Sequence, residues 1–244
     1  MSLTDKAIAR IRQAIVAGEL PPGSKLPPEP VLAAELGLSR NLMREAVKAL
    51  VVARVLEIRR GDGTYVTSLA PDVLLSGLGG AVELLQGDTV LELTEVRRLF
   101  EPAATALAAG RITDEDLAEA ADHLAAMRTA RLDVEEFNRH DAAFHRTVGR
   151  ATGNATLAAL LEHISGRTLP ARVWRGQADP EAADRALAEH REILRALEAR
   201  DPQLAQAAAL MHVTTTERWL RARLAAGGAV PATATSPSRS ASRP

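Results

Sequence analysis

"GLSRNLMREAVKAL" (residues 37–50) has the pattern of a short helix with unusually divided faces. Met43, Ala46, Val47 and Leu50 recur at helical spacing and form one apolar stripe. Arg40, Asn41 and Arg44 crowd the first turn and a half of another face, directly after Ser39, whose hydroxyl can cap the helix. Cations near a helix N-terminus oppose the helix dipole, so this choice lowers local stability. An anionic partner outside the protein would account for it.

The flanking sequence supplies a context. Residues 3–17 place Ala7, Ile8, Ile11, Ala14 and Ile15 on one helical face, and Gly18 ends the pattern. "ELPPGSKLPPEP" (19–30) cannot stay helical. A second short helix is expected over 29–36, stopped by Gly37. After the third helix, "VLEIRR", "GDG" and "TYVT" (55–67) carry the pattern of a β-hairpin. Three helices and a closing hairpin in 67 residues make the plan of a winged helix-turn-helix.

In that plan the second helix of the motif enters the major groove with its N-terminal residues at the base edges. Arg40 and Arg44 share a face and suit bidentate contacts to guanine or a phosphate, while Ser39 and Asn41 add short polar reach. On the wing, Arg59 and Arg60 precede Gly61, whose missing side chain allows close backbone approach. An isolated arginine pair is commonly a solvated basic face, but the preceding helix, tight turn and hairpin together point to double-stranded DNA. Single-stranded nucleic acid is disfavoured because only Tyr65 offers a stacking ring here.

Bulk composition agrees. Formal net charge is −1, yet residues 1–70 hold ten Lys/Arg against seven Asp/Glu. The absence of cysteine excludes disulfides and thiolate metal sites. No secretory-type core or membrane-length apolar run is present, so a cytoplasmic protein with no membrane partner is expected. From about residue 72 the chain is rich in Ala and Leu, with helical segments expected near 73–86, 89–110, 114–130, 133–152, 154–168, 180–200 and 202–225. The reading is therefore a mostly α protein: a winged helix-turn-helix (1–68), a linker (69–76), an all-α bundle of six or seven antiparallel helices (77–225) and a disordered tail (226–244).

The stretches "VAGELPPGSKLP" (16–27), "LAAELGLSRNLMREAVKAL" (32–50) and "RRGDGTYV" (59–66) resemble the DNA-binding domain of GntR-family transcription regulators, nearly continuously over residues 5–67. The resemblance implies a homodimer on a short palindromic operator. Two departures stand out. Pro30 and Val31 replace part of a common Glu-Arg-Glu signature, and Arg54 stands where the family usually has Gly before the wing.

In the second half, Asp141 and His145 are four apart on one expected helix, with His190 and His212 on two later ones. One carboxylate and three imidazoles make a plausible divalent-cation site. On the residues alone, satisfied polar groups on helix surfaces are the commoner reading. His123, His140 and His163 show no matching constellation and read as surface or packing residues. "DAAFHRTVGRATGN" (141–154) and "EHREILRALEARDPQLAQAAALMHV" (189–213) resemble the ligand domain of the FadR subfamily. Its metal-binding members carry Asp and three His at the positions of Asp141, His145, His190 and His212. The resemblance thus implies a metal site. Zinc is the first expectation, with nickel, manganese, iron and cobalt also compatible with nitrogen and oxygen ligands.

The resemblance also places Arg97, in "ELTEVRRLFE" (92–101), toward the cavity as an anchor for a small carboxylate or sugar-acid effector. A helix-surface ion pair with Glu101 is its other reading. Asn154 either borders that cavity or caps the next helix. An enzyme is disfavoured: H-E-x-x-H, G-x-S-x-G and Walker-type motifs are all missing. The expected function is an effector-released repressor. A metal sensor without organic effector, or a metal-dependent enzyme, is the alternative.

Overall fold

Ser39 ends an extended segment, and its hydroxyl accepts from the Leu42 backbone N–H at 3.3 Å, starting helix α3 (Arg40–Val52). α3 buries Met43, Ala46, Val47 and Leu50 and leaves Arg40, Asn41 and Arg44 exposed. This computed structural model describes residues 2–35, 37–77 and 89–230. Around α3 lie α1 (Leu3–Val16), α2 (Glu29–Glu35) and a hairpin of β1 (Leu56–Arg59) and β2 (Gly63–Val66). The strands are antiparallel, with Leu56 opposite Val66 and Arg59 opposite Gly63. Ala7, Ile11, Leu26, Leu32, Leu56 and Val66 close the core on the α3 stripe. Gly61 in the hairpin turn has φ +77°, a conformation glycine adopts without strain.

Arg54, just before the wing, has φ +58°. A branched backbone in that region costs roughly 1–2 kcal/mol. A short helix, α4 (Pro71–Ser76), follows where the sequence suggests a linker. The rest of the helix expected to reach residue 86 lies, from residue 78, outside the described residues, as do residues 231–244 of the expected tail.

The chain divides into two compact units between residues 85 and 86. In the second, six helices are described: α5 (Thr89–Ala109), α6 (Asp114–Thr129), α7 (Val134–Ala151), α8 (Ala155–Ala178), α9 (Ala182–Glu198) and α10 (Pro202–Ala225). Their starts follow local chemistry, since Thr113, Asp133, Asn154 and Asp201 each cap a helix. Alanines 108, 109, 120, 196, 205 and 209 are buried together with Phe144, Val148, Ile193 and Leu197, so small side chains let the helices approach closely. One difference from the sequence reading matters for function. α8 continues through Pro170 to Ala178 instead of ending near residue 168.

Arg54→Gly should relieve more backbone strain than the added unfolded-state entropy offsets, stabilising the N-terminal unit by about 0.5–1 kcal/mol. Calorimetry should show a higher melting temperature. A lowered one would mean that contacts of the Arg54 side chain outweigh the strain.

Candidate metal centre and nucleic-acid interface

α7 carries Asp141 and His145 one turn apart, α9 carries His190 and α10 carries His212. One ligand atom from each of the four lies within 4.8 Å of all the others. His190 is completely buried, and its Nδ1 is 2.7 Å from the Ala186 carbonyl one turn earlier. That carbonyl can only accept, so Nδ1 holds the proton and Nε2 offers a lone pair. Nε2 lies 3.0 Å from Asp141 Oδ1 and 3.2 Å from His145 Nε2. His212 Nδ1 is 2.9 Å from the Glu189 carboxylate, which likewise leaves its Nε2 free. Phe144 packs edge-on against the His190 ring at 4.9 Å between centroids.

Electrostatics keep these groups as ligands. Burial opposes the charge on Asp141, but the Arg172 guanidinium outweighs it and holds the carboxyl well below its ordinary range. Burial depresses His145 strongly and His212 to a lesser degree, against the pull of nearby carboxylates. Ring nitrogens of the three imidazoles and an Asp141 carboxylate oxygen therefore converge within 4.8 Å of one another. Such a set repels itself unless a proton or cation sits among its members. The donor types and outer hydrogen bonds fit a divalent transition ion.

Two cavities flank the cluster. One, of about 240 Å³, lies among α5, α7 and α8 and reaches His145 and Glu101. The other, of about 260 Å³, reaches Asp141 and His212 and is lined by Asn138, Arg172, Arg175 and Thr216. Arg172 donates to Asp141 and to the Ser165 carbonyl, the latter at 3.0 Å. Arg175 donates to the Thr216 hydroxyl at 2.7 Å, and no carboxylate stands within 4.0 Å of it among the described residues. The Nε of each of these two arginines is buried without a partner.

Arg97 stands elsewhere. It is 1% exposed, donates to both Glu101 oxygens at 2.6 and 3.1 Å and to Thr168 at 3.2 Å, and lines neither cavity. Its pairing with Glu101 is therefore internal and not on the helix surface. Burial alone would raise Glu101, yet the Arg97 guanidinium brings it down to about 2. Asn154 is exposed and caps α8 by accepting from Leu157 N–H at 3.0 Å. Arg172, Arg175 and Glu189 were missed from sequence, the arginines because α8 was expected to stop before them.

In the N-terminal unit, Arg40 and Arg60 are exposed, with no carboxylate within 4.0 Å among the described residues. Arg44 lies 3.7 Å from Glu29. Arg59 donates to Glu57 at 2.7 and 2.9 Å and stacks over the Tyr65 ring at 3.9 Å. Asp62 joins Lys25 and the Tyr65 hydroxyl, each at 2.7 Å, tying the wing tip to the loop before α2.

Residues 3–66 match the family model "Bacterial regulatory proteins, gntR family", and residues 92–215 match "FCD domain". The chain belongs to the GntR family. Its pairing of domains is that of the FadR-like subfamily. LutR, an HTH-type transcriptional regulator of Bacillus subtilis, is 33% identical over 205 residues, covering 82% of this chain and 93% of that protein. The galactonate operon transcriptional repressor of Escherichia coli is 32% identical over 233 residues, covering 91% and 98%. A Streptococcus agalactiae GntR structure aligns with TM-score 0.66 at 29% identity, covering 89% of this chain and all of that one. This GntR-family chain is thus a DNA-binding transcription regulator and not an enzyme. Among the described residues, no helix is long and apolar enough to cross a membrane.

Removing the carboxylate that orients His212 should loosen the centre without unfolding it. Glu189→Ala is expected to weaken zinc or nickel binding by about 10–100-fold in competition with a chromophoric chelator. Unchanged affinity would show that Glu189 does not orient the ligand.

Proposed function

We propose that this chain is a repressor that binds a palindromic operator as a homodimer and is released by a small carboxylate or sugar acid. The observation that carries the effector assignment is Arg175, a buried cation beside the four-ligand cluster with no carboxylate partner among the described residues. An unpaired buried charge is costly, and an anionic ligand is the natural way to compensate it. A divalent ion held by Asp141, His145, His190 and His212 supplies positive charge and open coordination positions for an acid oxygen. Arg175 and Arg172 then offer their unpartnered Nε–H groups to the carboxylate. Val134, Phe137 and Ala186 wall the cavity beside them and suit a short carbon chain, while Asn138 and Thr216 suit a hydroxyl. The E. coli relative's name, a galactonate operon repressor, supports both repression and an acid signal.

The cavity is built by α7, α8, α9 and α10, so a bound acid draws these helices onto itself. In the dimer this changes the spacing of the two recognition helices and lowers operator affinity. Coupling of about 1–3 kcal/mol, or 5–150-fold, is typical of such a switch. On the DNA side, Arg40 and Asn41 read bases, with Arg44 released from Glu29. Ser39 positions the helix start, and Arg59, Arg60 and the Gly61 backbone follow the adjacent phosphates. α5 and α10, which pack together, expose Leu99, Phe100, Leu210 and Met211, a surface suited to pairing two copies.

Arg40→Ala should cost about 1–3 kcal/mol of operator affinity with relaxed base preference, and Arg60→Ala should lower the salt slope by about 1. Wild-type titrations by both variants in fluorescence anisotropy would overturn the interface. In a thermal-shift screen of the metal-loaded protein against small organic and sugar acids, a ligand at 100 times its Kd adds about 2.7 kcal/mol. Arg175→Met should abolish that stabilisation while melting at or above the wild-type temperature without acid, because it removes a buried charge that has no direct ion pair among the described residues. An acid response that survives Arg175→Met would sink this pocket, and operator release by metal alone would replace the acid with the ion as signal.

A further inference from the structure

Outside the buried cluster, the structure brings together two histidines that the sequence pattern leaves unrelated. His123 on α6 and His140 on α7 face each other with their Nδ1 atoms 3.2 Å apart. Two imidazole nitrogens bound to one zinc at 2.0–2.1 Å stand about 3.3 Å apart at a tetrahedral angle, and about 2.9 Å apart at a right angle. The observed separation falls inside that span, although ring centroids 5.5 Å apart place the two nitrogens end on, so each ring must tilt about its side-chain bonds for both lone pairs to reach one ion.

The far side of the His140 ring is also provided for. Its Nε2 lies 3.3 Å from Glu136 Oε1, whereas Glu119 Oε1, which accepts from the Thr147 hydroxyl, stands 3.8 Å from His123 Nε2, near it without a hydrogen bond. Each carboxylate sits one turn before its histidine on the same helix. A ligating imidazole commonly gives its second N–H to such a carboxylate, which directs the other nitrogen's lone pair at the metal. Without an ion, the two rings share one proton between their Nδ1 atoms, and Arg139 Nη2 donates to His140 Nε2 at 3.0 Å. Binding an ion displaces the shared proton and turns His140 Nε2 from acceptor to donor toward Glu136. Both side chains are partly exposed, at 24% and 17%, so water can fill the remaining positions.

We propose that His123 and His140 form a second transition-metal site of the zinc, nickel or copper class, clamping α6 to α7. Two protein ligands against four make it the weaker of the two sites. It is independent of the effector and of the Asp141 cluster.

The test uses the full chain without an affinity tag, stripped of metal and dialysed against increasing nickel or zinc chloride, with bound metal counted by mass spectrometry. Wild type should saturate at two ions per chain, one tight and one weak. His123→Gln and His140→Gln should each lose only the weak ion, with unchanged circular dichroism. His190→Ala should lose only the tight one. Copper(II) added to His190→Ala should show nitrogen hyperfine splitting in electron paramagnetic resonance, abolished by adding His123→Gln. Wild type saturating at one ion that His190→Ala removes would overturn the second site. So would His123→Gln retaining both ions. A single ion that survives His190→Ala and disappears with His123→Gln would instead overturn the buried cluster and leave this site standing.

Discussion

The helical unit buries the guanidiniums of Arg97, Arg172 and Arg175, while two buried carboxylates, Glu101 and Asp141, pair with the first two. Burying an ion costs several kcal/mol unless its partners are well placed, so the surrounding helices have little freedom in register. Thr168 on α8 meets Arg97 on α5, Arg172 on α8 meets Asp141 on α7, and Arg175 meets Thr216 on α10. α8 is therefore fixed against three neighbours by charge-assisted hydrogen bonds. It presents a largely polar face where an ordinary bundle helix would present leucines. The same bonds hold Asp141 in its ionised form beside the imidazoles. The site exists because the buried charges are arranged this way.

This explains which parts were legible in the sequence. The N-terminal unit was readable because its core stripe is apolar, its turn chemistry is local and its wing carries Gly-Asp-Gly. The Asp141, His145, His190 and His212 set was also visible, since rare residue types mark it. α8 was read short because Pro170 punctuates the pattern and arginines follow at 172 and 175. Burial does not stop: Leu161, Ser165, Thr168, Arg172 and Arg175 are all buried and follow a four-three-four-three spacing. A search by helical period that ignored hydrophobicity would have carried the helix onward. Arg97 illustrates the converse. Its spacing to Glu101 is that of a common surface pair, and only packing reveals that the pair is internal. The facing of His123 and His140 is equally tertiary, because they lie seventeen positions apart on two consecutive helices.

In the DNA-binding unit, function is set against local stability. The first turn of α3 holds no acidic residue to complement the helix dipole, and Ser39 supplies the cap. Arg54 holds a left-handed conformation that a glycine would adopt at lower cost. The compensation comes from burial of Met43, Ala46, Val47 and Leu50, and from the Lys25–Asp62–Tyr65 bonds that brace the wing. Arg44 and Arg59 are partly neutralised by Glu29 and Glu57, while Arg40 and Arg60 stand free of such partners among the described residues.

The charge inventory of the cavity also constrains how metal and acid act on each other. Asp141 is already matched by Arg172, and burial keeps His145 and His212 below the ordinary imidazole range. Nothing in the cavity lining offsets Arg175 through a direct ion pair. A cation taken up by the four ligands adds positive charge beside Arg175, which Glu189, Asp179 and Asp141 attract without a direct ion pair, and the two cations repel. An acid that reaches both the ion and Arg175 removes that repulsion. By linkage, whatever factor the ion contributes to acid affinity, the acid returns to ion affinity. A bound acid is thus expected to tighten further the ion that the four ligands hold, which would make the ion part of the signal and not only a structural pin.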